Sequence, residues 1–130
     1  MTRINYESTP HEMQRYPTVG DYFYDRNGTL QVRVSEMGNE DYEFLVAIHE
    51  LVEWYLVTKR KIPLEKIDEF DISFEQLRKM MPAIIGDQEP GDMVSAPYYN
   101  EHQFATKLEK FLAAEMGVDW EKYNDCVESL

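Results

Sequence analysis

Five residues in the middle of the chain combine the types that bind metals and move protons: His49-Glu50-Leu51-Val52-Glu53. On a helix, His49 and Glu53 stand one turn apart on one face and can offer an imidazole nitrogen and a carboxylate oxygen to a single cation. Glu50 lies about 100° around the helix from His49, where a carboxylate can hold and deprotonate a metal-bound water without being a ligand itself. Leu45 and Val46 precede the segment and Leu56 and Val57 follow it. An imidazole and a carboxylate in such apolar surroundings need partners, because an unpaired buried charge is costly. A metal would satisfy both, and so would a buried His49–Glu53 ion pair or a hydrogen bond from His49 to a tyrosine.

A metal site needs a third protein ligand, and His102 is the best one that the sequence offers. It falls near the start of a helix and borders the face carrying Ala105, Leu108 and Leu112, so its ring can turn inward. The positive end of the helix dipole disfavours imidazolium there and keeps the ring neutral, as ligation requires. Glu101 is an alternative ligand or an outer partner for a histidine, and Asp68 is a further acid that could stand behind the ligands. His49, Glu53 and His102 form a two-histidine, one-carboxylate set that suits zinc in a hydrolase, with Mg²⁺ or iron as alternatives. His11, in the turn-like Pro10-His11-Glu12 stretch, is expected at the surface.

The central segment resembles the helix of the zincin metallopeptidases, which carries His-Glu-x-x-His. That resemblance implies a zinc-dependent hydrolase with His49 as first ligand and Glu50 as general base. Glu53 stands where the family has its second histidine. A different resemblance starts from Glu50-Leu51-Val52-Glu53 and Glu65-Lys66-Ile67-Asp68. These paired acidic motifs are similar to those of the MazG-type nucleoside triphosphate pyrophosphohydrolases, which are all-helical. They imply four carboxylates holding Mg²⁺ against substrate phosphates, with no role for His49. A third alternative is no enzyme at all but an acidic protein-binding module, in which exposed Trp54, Tyr98 and Tyr99 contact a partner.

The elements that must position these residues follow from periodicity. Asp21 to Arg26 and Thr29 to Val34 flank Asn27-Gly28, a dipeptide suited to a two-residue hairpin turn, and Leu30, Val32 and Val34 share one face. In that register Phe23 faces Val32 on the apolar side, while Tyr22 and Tyr24 lie over Arg33 and Gln31. Arg3 to Glu7 is a further strand segment. From Asn39 to Lys61 the chain has neither Gly nor Pro, and Phe44, Ile48, Leu51, Val52 and Tyr55 recur at helical spacing. Pro63 opens a second helix, with a stripe of Leu64, Ile67, Phe70, Phe74, Leu77 and Met81; the short link predicts an antiparallel helix hairpin. Pro82 to Tyr99 reads as an irregular connection. Asn100 is placed to cap a third helix with Gln103, burying Phe104, Leu108, Phe111 and Leu112 and closing at Gly117, before a short helix from Asp119. The expected fold is α+β: a small antiparallel hairpin or sheet at the N-terminus followed by three or four helices in one domain, 1–130. The site would lie between the central and third helices, under the 86–99 connection.

Composition narrows the partners. In 130 residues, 25 acids face 13 Lys plus Arg for a net charge of -12, which would repel nucleic acid and anionic membrane surfaces. A substrate or a protein partner is expected instead, of unknown identity. Hydrophobic residues make up 43% of the chain, enough for a globular core. The single cysteine, Cys126, excludes an intrachain disulfide and a Cys-rich zinc site. With no apolar stretch near Met1 and none long enough to span a membrane, a cytoplasmic location is expected.

Overall fold

The computed structural model describes residues 1–130. Three strands, β1 (Ile4–Thr9), β2 (Gly20–Tyr24) and β3 (Leu30–Ser35), form a sheet in the order β1-β3-β2. β2 and β3 are antiparallel, whereas β1 runs parallel to β3 along the other edge, so the sheet is mixed.

The β2–β3 register differs from the expected one by a residue. Tyr24 pairs with Leu30, so the connection is the five residues 25–29 and not a two-residue turn at Asn27-Gly28. Asp25 explains it. Its carboxylate accepts from the backbone N–H of Asn27 at 2.8 Å and of Thr29 at 3.0 Å, organising a longer loop through its own side chain. As a result Tyr22 faces Val32 on the buried side of the sheet. Phe23 turns outward, its ring centroid 4.4 Å from the Arg15 guanidinium and 5.1 Å from that of Arg33.

α1 (Glu40–Lys59) starts at Asn39, whose side chain accepts from the N–H of Tyr42, and three acids in its first turn complement the helix dipole. It buries Leu45, Val46, Ala47, His49, Glu53, Trp54 and Val57, leaving Phe44 and Tyr55 of the expected stripe exposed. Its main helical neighbour is α4 (Tyr99–Met116) and not the next helix in sequence, α2 (Leu64–Met80), as a hairpin would have required. α2 instead packs against the short α3 (Pro82–Ile85) and a single 3-10 turn at Pro90–Asp92. Its buried residues are Ile67, Asp71 and Phe74, whereas Leu77 and Met81 are exposed.

α4 departs most from its sequence pattern. Tyr98 occupies the N-cap position without a capping side chain, and Asn100 is already inside the helix. The buried residues are Glu101, His102, Ala105, Glu109 and Ala113, while Phe104, Leu108 and Phe111 face solvent. The helix ends at Gly117 as expected, and α5 (Trp120–Glu128), capped by Asp119, buries Tyr123 against the core. No helix is long and apolar enough to cross a membrane.

Candidate metal centre

α1 and α4 lie antiparallel, joined near one end by an ion pair from Arg60 Nη1 to Glu101 Oε2 at 2.6 Å and farther along by His49 Nδ1 and Glu109 Oε1 at 2.7 Å. Ala105 and Ala113, both almost fully buried on α4, leave room for close approach of the helices. Between those two links three side-chain atoms converge. His49 Nε2 is 3.1 Å from Glu53 Oε2, His102 Nδ1 is 3.0 Å from the same oxygen, and the two nitrogens are 3.1 Å apart. All three residues are buried.

Each of the three is held from behind. Tyr22 donates from its hydroxyl to the other Glu53 oxygen at 2.8 Å, a contact that depends on the one-residue register of β2. Glu109 fixes His49, and Glu109 in turn accepts from the Tyr123 hydroxyl at 2.5 Å. Over His102 lies Gly91, where a Cβ would come within 2.4 Å of the ring. Only glycine lets the 86–98 connection pack so closely on the imidazole. The same logic holds at Gly20 on β2, where a Cβ would meet the Glu50 side chain at 2.7 Å.

A cavity of about 580 Å³ opens onto these groups and is lined by Glu50, Asp71 and Tyr98 as well as the two histidines and Glu53. Glu50 makes no side-chain hydrogen bond to the protein, and burial, with the charge of Glu53 beside it, raises its pKa well above the carboxylate range. Asp71 accepts from Tyr98 at 2.5 Å and from Tyr16 at 3.1 Å; burial is the larger influence and lifts it to about 7. Burial alone would lower both histidines. For His49, Glu109 and Glu53 overcome it and hold the ring up at about 10. For His102 the carboxylates of Asp92, Glu53 and Glu89 do the same, to about 12, so the helix N-terminus does not hold this ring neutral as expected, three nearby carboxylates outweighing the dipole. Glu53, whose burial acts the other way, is drawn down to about 2 by the two histidines. The carboxylates thus favour the protonated form of both rings between α1 and α4.

The structure therefore brings His49, Glu53 and His102 to one point and puts Glu50 on the same cavity. Two outer partners named from the sequence are engaged otherwise: Glu101 pairs with Arg60, and Asp68, although it lines the cavity, pairs with Arg15 at 3.2 Å, which also binds Asp21 at 2.7 Å. Glu65 is exposed and does not line the cavity, so the four acids of the paired motifs do not gather. Trp54 and Tyr98, expected outside, are buried; the Trp54 indole N–H donates to the Tyr24 hydroxyl. His11 is partly buried, with Nδ1 2.8 Å from the Ser35 hydroxyl. Sequence reasoning missed Tyr22, Asp71 and Glu109. Glu109 carried a readable signal, lying two helical turns from His102 on the same face, and Asp71 interrupts the Ile67–Phe74 stripe at an inward position.

Comparison with protein-family models, with curated proteins and with solved structures found no match.

Proposed function

We propose that this protein binds a divalent cation, zinc from its donor set, through His49 Nε2, Glu53 Oε2 and His102 Nδ1, and hydrolyses an amide, ester or phosphoester with Glu50 as general base. One observation carries the reading, the triangle of donor atoms with sides of 3.0 to 3.1 Å. Ligand atoms bonded to one ion at about 2.0–2.2 Å are separated by about 3.0–3.5 Å, so the triangle has the dimensions of one face of a coordination sphere. The support behind it matches too. Glu109, by accepting the Nδ1 proton of His49, leaves the Nε2 lone pair free for a metal, the usual arrangement of a carboxylate behind a ligating imidazole.

A divalent ion at this point supplies positive charge that acidifies water and polarises the oxygen of a substrate carbonyl or phosphoryl group. The chain's own residues do the rest. Glu50, with no hydrogen bond of its own, would be ionised by the positive charge of the ion against the burial that raises its pKa, and would then take the proton of the attacking water and return it to the leaving group. Tyr22 holds Glu53 so that only one of its oxygens faces the two rings. The two-histidine, one-carboxylate set also suits iron, and elemental analysis separates the metals.

The expected result is that purified protein carries tightly held zinc, that His49→Ala and Glu53→Ala each lower the stoichiometry by one ion, and that Glu50→Gln keeps the ion. Glu50→Gln should lower kcat/KM on chromogenic ester and phosphodiester probes about 10²- to 10⁴-fold. Retention of all metal in His49→Ala would defeat the reading.

A further inference from the structure

Only one ring nitrogen of His102 faces Glu53 and His49. The other, Nε2, points to the 86–98 connection, where Glu89 Oε2 and Asp92 Oδ1 are each 3.2 Å away. His102 is 5% exposed and Nε2 itself is buried, yet this nitrogen makes no hydrogen bond. An oxygen at such a distance is a good acceptor when it lies along the N–H direction and a poor one when it lies to the side. Both carboxylate oxygens are thus at ion-pair distance from the nitrogen without the alignment of a hydrogen bond. Ligands sharing a cation are arranged in this way: with bonds of about 2.1 Å, an oxygen at that separation sits about 40° off the lone-pair direction.

The surroundings fix the two acids in place. The Pro90–Asp92 turn carries Gly91 directly onto the imidazole, so the carboxylates on either side of it are brought to the same ring nitrogen. Asp92 Oδ1 also accepts from Gln103 Nε2 at 3.2 Å, which ties the turn to α4. Glu89 and Asp92 are half exposed, so an ion can reach them from solvent. The three donor atoms are near enough to one another to share an ion.

We propose that Glu89, Asp92 and Nε2 of His102 form a second divalent-cation site at the mouth of the cavity, so that His102 bridges two ions. The inference rests on the reading of His102 Nδ1 as a ligand of the inner centre. The Nε2 proton leaves to solvent when the outer ion binds. Glu53, Glu89 and Asp92 as ligands, with Glu50 and Glu109 behind them, offset the positive charge of two ions. The two ions lie on opposite sides of one ring, too far apart to clamp a single reacting oxygen pair as closely spaced metal pairs do. The outer ion instead pins the 86–98 connection to α4 and closes the cavity on that side.

Calorimetric titration of the metal-free full-length chain with Zn²⁺ tests this. Wild type should bind two ions. The Glu89→Gln/Asp92→Asn double variant should bind one, with inner affinity within about tenfold of wild type, and circular dichroism should show it folded, since both substitutions are half exposed. His49→Ala should also bind one, at the outer site. A single ion in both wild type and the double variant would overturn the outer site and leave the inner one standing. A 10- to 100-fold weakening of one ion at unchanged stoichiometry would also overturn it, because the two carboxylates would then be accepting the Nε2 proton. A single ion lost in the double variant and kept in His49→Ala would support the outer site and defeat the inner. No binding by wild type would defeat both.

Discussion

α1 is covered on two sides, and the two coverings differ in kind. Toward the sheet, Val46, Ala47, Trp54 and Val57 join Tyr22, Leu30, Val32 and Val34 in one apolar cluster. Toward α4, the central contacts are His49, Glu53, His102 and Glu109, with an Arg60–Glu101 ion pair at the end. Apolar burial stabilises without regard to direction, at about 25 cal/mol per Å². The polar side gains only when every group finds its partner, and otherwise costs stability. One helix is thus anchored by the first side and holds a geometry with the second. Glu53 stands where the two sides meet, because Tyr22 of β2 holds one of its oxygens while the other faces the two rings, so the donor geometry leans on the sheet at that one residue.

The largest effect should follow from damage to the apolar side. Leu30→Ala removes a fully buried side chain from β3 and should cost about 2–5 kcal/mol, read as a lower denaturant midpoint at unchanged m. Zinc bound per folded chain should not change. A shift of more than tenfold in zinc affinity would break the comparison, since it would mean that the two sides of α1 are one unit.

A smaller effect, confined to the polar side, is expected from Glu109→Gln. The amide keeps the shape and an oxygen for His49 Nδ1 but loses the charge behind the ring. Zinc affinity should fall 10- to 100-fold, about 1.4–2.7 kcal/mol, in competition with a chromophoric chelator. Global stability of the metal-free chain should move less than in Leu30→Ala. An unchanged affinity would make Glu109 a structural partner only.

The two sides also differed in how far they could be read from the residues. Leu30, Val32 and Val34 alternate cleanly, and their burial follows from the period of a strand. The α1 helix, the end of α4 at Gly117 and the Asp119 start of α5 followed from equally local rules. The register of β2 did not, because Asp25 bonds to its own loop and lengthens the turn that Asn27-Gly28 suggested. That shift hid Tyr22. His49, Glu53 and His102 were singled out because residue type and spacing are local information. Their supports at Tyr22, Glu89, Asp92 and Tyr123 come from three other segments, and only the fold brings them together. α4 misled in a physically specific way. An apolar stripe of Phe104, Leu108 and Phe111 would ordinarily be the buried face. Here α4 needs its small and ionisable residues against α1, and the rotation that puts them there turns the stripe outward.

The smallest expected effect tests that rotation. Phe111 is 78% exposed, and Ser and Phe have similar helix propensities, so Phe111→Ser should change stability by less than about 0.5 kcal/mol. Zinc stoichiometry and affinity should stay at wild-type values, because no part of the side chain reaches His102 or Glu109. If the hydrophobic pattern of α4 were the true guide, Phe111 would sit in the core and its truncation would cost about 3–5 kcal/mol. Urea unfolding of this one variant therefore separates the two orientations of the helix. A large loss would rotate α4 so as to carry His102 and Glu109 away from α1, and the polar side of the comparison would cease to exist.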